Sequence, residues 1–115
     1  MLHFFTPNCL MMDILQALNT LYDKIPRRYS VDNIKEIQTV VLQYEQILMA
    51  IEAINSQYEK GITNYFNDIE VITNLVKQAN SNKASKKAKD DFFNEASTAF
   101  KNSVEAVTIY YKEGQ

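Results

Sequence analysis

The chain has 115 residues, 46% hydrophobic and 23% charged, with 12 Lys and Arg against 14 Asp and Glu for a net charge of −2. That size fits one domain with its own core, and a slight acidic excess gives no general drive toward nucleic acid or an anionic membrane. Two Gly and two Pro are too few for the turns of a β-sandwich or barrel, and no apolar run nears the roughly 18 residues a membrane-spanning helix needs, so an all-α, cytoplasmic protein is expected.

Residues 1–12, MLHFFTPNCLMM, lack the basic start and the small-residue cleavage site of a signal peptide. Met11 and Met12 stand just ahead of the first well-patterned helix, so residues 1–11 have two readings. They either precede an initiation at one of those methionines, or they open the helix, with Thr6 as cap and Pro7 at its first position. Ile14, Leu15, Leu18, Leu21 and Tyr22 then form an apolar helical face that runs to about Lys24, because Pro26 disfavours helical geometry at Ile25.

Residues 30–60 contain neither Gly nor Pro. Within them Ile34, Ile37, Val41, Tyr44, Leu48, Ile51 and Tyr58 follow helical spacing, and Val40, Ile47 and Ile54 widen this seam to an arc of about 160°. So broad a face needs several neighbours, which points to a bundle and not to a two-stranded coil. Ser30 is placed to cap the free amides, Asp32 to favour the first turn, and Tyr29 to pack on Ile34. Asn55 interrupts the seam, either as a polar residue that fixes register or as one bonded within the chain's own core.

Gly61 is expected to end this helix, with Thr63 capping a third from about Asn64 to about Gln78. The alternative is one continuous rod that tolerates Gly61 at a cost of about 1 kcal/mol. Ile62, Tyr65, Phe66, Ile69, Ile72, Leu75 and Val76 carry the apolar pattern either way. Residues 79–85, ANSNKAS, read as a loop. Ser85 then caps a last helix with Phe93, Ala96, Phe100, Val107 and Tyr110 as its main stripe and Phe92, Val104 and Tyr111 as its flanks, ending near Glu113. The expected fold is an antiparallel up-and-down four-helix bundle, its second and fourth helices long and its first and third shorter.

Catalytic sets are missing from this pattern. The sole histidine is His3 and the sole cysteine Cys9, there is no Glu-x-x-His pair for a metal, and Gly61 and Gly114 cannot make a phosphate loop. No catalytic residue, metal or cofactor is therefore assigned. A lone cysteine also means that folding needs no intrachain disulfide.

Two surface features remain. Leu42, Met49 and Ala53 project away from the main seam of the long helix, about 140° or more from Tyr44, and Glu45 and Glu52 edge them. This stripe suits a partner helix or a second copy of the chain. Arg27 and Arg28 lie in one connection, while Lys83, Lys86, Lys87 and Lys89 cluster where the fourth helix begins and oppose its dipole. Of seven tyrosines, Tyr44, Tyr58 and Tyr110 are expected in the core with hydroxyls at its edge, and Tyr29 with Tyr65 or Tyr111 nearer the surface.

The leading expectation is a non-catalytic protein-binding module, such as an adaptor, an inhibitor or an immunity-type protein, with no role for a membrane. A nucleic-acid-binding module using the basic clusters comes second, weakened by the acidic Asp90 and Asp91 that follow them. A carrier of a small apolar ligand within the bundle comes third.

Overall fold

A computed structural model describes residues 7–54 and 56–114 of this chain, and within them the side chains from residue 14 onward. Four helices make it up: α1 Pro7–Lys24, α2 Val31–Ile54, α3 Tyr58–Ala79 and α4 Lys86–Glu113. Each packs on the next in sequence, and α4 closes the ring against α1. The result is the expected up-and-down bundle. Its 48 Å long axis agrees with the 28 residues of α4, which at about 1.5 Å each span roughly 42 Å.

Two starts are made as their sequences suggest. Ser30 Oγ accepts from the Asn33 amide at 2.9 Å, and Ser85 Oγ accepts from the Ala88 amide at 3.1 Å. Each satisfies one amide that the first turn leaves free, a contribution of about 1 kcal/mol. α1 begins at Pro7 as one sequence alternative has it; its cap Thr6 lies outside the described residues. Tyr29 packs edge-on against Phe93 of α4, with ring centroids 6.2 Å apart.

The long helix ends earlier than its sequence suggests. α2 stops at Ile54 and α3 has begun by Tyr58, so Gly61 and Thr63 lie inside α3 and terminate or cap nothing. Thr63 Oγ1 donates instead to the Glu59 carbonyl at 3.2 Å. Tyr58 is thereby the first residue of α3, not the last of the α2 seam, and its ring stacks on Tyr111 with centroids 5.8 Å apart. Gly61 is where α3 meets the Tyr110 ring, since a Cβ there would sit 2.5 Å from Tyr110 Cζ. The glycine serves close approach between helices, and the packed ring offsets its poor helix propensity. Asn55 lies outside the described residues.

The α4 seam is also shifted by one residue at its end. Phe93, Ala96, Phe100, Val104, Val107 and Tyr111 are the buried apolar set, so Val104 and Tyr111 are core residues and Tyr110 sits at the edge. Tyr65, not Tyr111, is the half-buried tyrosine of that pair. The largest fully buried side chains are Tyr44, Phe93, Phe100 and Tyr111, spread along the core.

Candidate functional site

The outer flank of α2 exposes two of the five large apolar side chains that stand open among the described residues, the others being Val31, Val71 and Ile109. Ile34, Ile37, Val40, Val41, Tyr44, Leu48 and Ile51 are buried on its inner face. On the outer side Leu42 is 62% exposed and Met49 50% exposed. Ala53 and Glu52 are exposed as well, and Glu45 is half-buried. All five residues of the predicted stripe are thus held on one side of one rigid helix.

The stripe is not isolated, because it leans toward α3. Val41 and Leu42 line a groove of about 240 Å³ with Gln38 of α2 and Thr73, Val76 and Lys77 of α3. Farther along, Glu52 lines a second hollow with Ser56, Gln57, Glu59, Lys60 and Thr63 around the α2–α3 turn. Glu45 and Met49 fall between these two points on the helix. The flank is therefore shared with α3 at Leu42 and at Glu52, where two separate hollows form, whereas Met49 lines neither. The contribution of α3 could be found only once its register against α2 was known.

The basic residues come together at one end. The connection between α1 and α2 and the one between α3 and α4 emerge on the same side of the bundle, and Lys89 Nζ lies 5.6 Å from the centre of the Tyr29 ring. Arg27 and Arg28 thus share an end with the Lys83–Lys89 cluster, and the Arg28 carbonyl accepts from Asn33 Nδ2 at 2.8 Å. Part of this charge is already engaged. Lys86 pairs with Asp90 at 3.3 Å and Lys87 with Asp91 at 3.0 Å, both exposed i,i+4 pairs of small energetic weight. Arg27, Arg28 and Lys83 are exposed, and the Lys83 amide donates to Ser81 Oγ.

A third constellation is invisible in the sequence. Tyr44 of α2, Ser103 of α4 and Asp68 of α3 form a hydrogen-bonded chain, with 2.6 Å between Tyr44 Oη and Ser103 Oγ and 2.7 Å from Ser103 Oγ to Asp68 Oδ2. An ionised carboxylate only accepts, so Ser103 donates to Asp68 and Tyr44 donates to Ser103. Burial pushes the Tyr44 phenol well above its usual range; the Ser103 hydrogen bond acts against that shift, and the Asp68 charge adds to it. Burial also raises Tyr65, helped by nearby Tyr110, Asp68 and Glu113. With Ser103 buried, the arrangement ties three helices together and presents no nucleophile to solvent. Tyr44 was expected in the core with its hydroxyl at the edge; the hydroxyl turns inward because it has a partner there.

Among the described residues no group of three or more His, Cys, Asp or Glu is arranged to hold a metal ion, and no helix is long and apolar enough to cross a membrane. Comparison with known protein families, curated proteins and solved structures gives no match.

Proposed function

We propose that this protein is a non-catalytic interaction module that docks another protein on the outer flank of α2, as an adaptor, inhibitor or immunity-type protein would. The observation that supports the reading is the exposure of Leu42 and Met49 on a helix whose other large apolar side chains, apart from Val31 at its first position, are buried or packed against the core. Covering each would contribute about 1.5–3 kcal/mol, and both stand on a rigid element that needs no ordering on binding. A cytoplasmic setting belongs to this reading.

The test is the double variant Leu42→Ser, Met49→Ser. Helical circular dichroism and unfolding midpoint should stay near wild type, while a partner captured from the native source by the wild-type protein should be lost. A variant that unfolds would make these residues part of the core and remove the interface argument.

A second reading, binding of a nucleic acid at the basic end, is favoured by the convergence of Arg27 and Arg28 with Lys83–Lys89. It stands behind the first because Lys86 and Lys87 already pair with Asp90 and Asp91. No affinity for duplex or single-stranded DNA or RNA at low salt would end it.

A further inference from the structure

We infer that this chain exchanges helices with a second copy of itself: the α2–α3 turn opens, the two helices join into one rod, and α3–α4 of each copy packs on α1–α2 of the other. The inference goes beyond the docking reading and does not depend on it. Its ground is the phase of the buried face. Along α2 the buried residues Ile34, Ile37, Val41, Tyr44, Leu48 and Ile51 advance by alternating steps of three and four. After one further step at residue 55, the same alternation runs on without a slip through Tyr58, Ile62, Ile72, Val76 and Ala79, all buried, with the half-buried Tyr65 and Ile69 between them. Two helices joined by a turn need share no phase, whereas one unbroken heptad pattern is what a single long helix requires.

The turn contains little that resists straightening. Residues 55–57 include neither Gly nor Pro. Gln57 already has helical angles, φ −67° and ψ −21°, and the turn is closed by the Glu59 amide donating to the Ser56 carbonyl at 3.1 Å. A rod from Val31 to Ala79 would span roughly 74 Å. In one chain it would leave much of its apolar face bare, but two chains cover each other. The contacts also divide into two units that move whole. Tyr110 Oη donates to the Tyr58 carbonyl at 3.3 Å and Gln57 Nε2 to the Gly114 carbonyl at 3.1 Å, so α3 and α4 stay joined within one copy. The packing of α2 on α3 and of α1 on α4, with the Tyr44–Ser103 bond, re-forms between copies. Every packed surface is thus kept and only the turn changes, which is why exchange is a low-cost route to a dimer. The product carries two α2 flanks on one particle.

The test holds the full-length protein at millimolar concentration and separates monomer from dimer by size-exclusion chromatography. A dimer of unchanged helical content is expected, with a small-angle scattering length roughly twice the monomer's 48 Å. It should persist for hours after dilution, because return to monomer must reopen both cores. Ser56→Ala favours helix at the turn in both copies and should tighten dimerisation by about threefold or more. Gln57→Pro should leave only folded monomer, since proline fits the observed φ but breaks a continuous rod. A short glycine insertion after Ser56 should remove the dimer in the same way, and it decides the matter if the proline variant does not fold. Absence of a dimer even with Ser56→Ala overturns the inference. So does a dimer that dissociates at once on dilution, survives both turn variants, or is lost with Leu42→Ser, Met49→Ser, because such a dimer joins surfaces without exchanging helices.

Discussion

The α3–α4 seam and the outer flank of α2 are made of the same residue classes and differ in how fully those residues are satisfied. Along the seam, Tyr58, Tyr65 and Tyr110 pack ring to ring, Gly61 and Gly114 make room for tyrosine rings, and Ser103 answers both Tyr44 and Asp68. On the flank, leucine and methionine face solvent beside Glu45 and Glu52, neither of which forms an ion pair among the described residues. A chain that closes one side so thoroughly has no general shortage of packing partners. Ile109 of α4 is exposed as well, but only on α2 do two large apolar residues, Leu42 and Met49, stand two turns apart on one exposed face.

The sharpest way to break this contrast is to make the same substitution on both faces of α2. Leu48→Ala removes a side chain with no exposure and should cost about 2–5 kcal/mol in urea unfolding, whereas Leu42→Ala should change stability by no more than about 0.5 kcal/mol. Comparable losses would show that the flank is core in solution. Next in size is Ser103→Ala, which strips the buried Tyr44 hydroxyl and Asp68 of their shared partner and should cost about 1–3 kcal/mol. A neutral result would mean that water replaces the serine.

Gly61→Ala separates helix propensity from packing. In an open helix the change gains about 1 kcal/mol, but the overlap with Tyr110 should turn it into a loss of about 1–2 kcal/mol. Tyr110→Ala in the same chain should restore most of that, and a simple gain in the single variant would count against the close approach. Tyr44 adds a smaller, pH-dependent effect. Its folded-state proton is held above the ordinary tyrosine value of about 10, so the unfolded chain loses that proton first. The stability linked to it is fully present below that value and declines as pH rises above it, by at most about 1.4 kcal/mol per pH unit. Tyr44→Phe should flatten this part of the alkaline slope, which an unfolding series from neutral to alkaline pH would detect.

Much of the architecture was legible because burial in a bundle follows helical spacing. Ile34, Ile37, Val41, Tyr44, Leu48 and Ile51 were readable as one face without any neighbour in view, as were the caps Ser30 and Ser85. The Leu42 and Met49 stripe was readable for the same reason, as the apolar residues left over from that face. What escaped depends on contacts between helices distant in sequence. Gly61 looks like a helix stop until Tyr110, far along the chain, is seen lying over it. Ser103 and Asp68 are ordinary polar residues until α3 and α4 align them with Tyr44. The two basic clusters join only because both connections leave the same end, and the α3 side of the groove beside Leu42 exists only once the helices are in register.

The most direct measurement is native-source capture with wild-type protein and the folded Leu42→Ser, Met49→Ser variant side by side, quantified by mass spectrometry. The account predicts a specific protein that is enriched by wild type and falls to background with the variant. Equal recovery of the same partner by both proteins would contradict it, because the outer flank of α2 would then have no part in what this molecule binds.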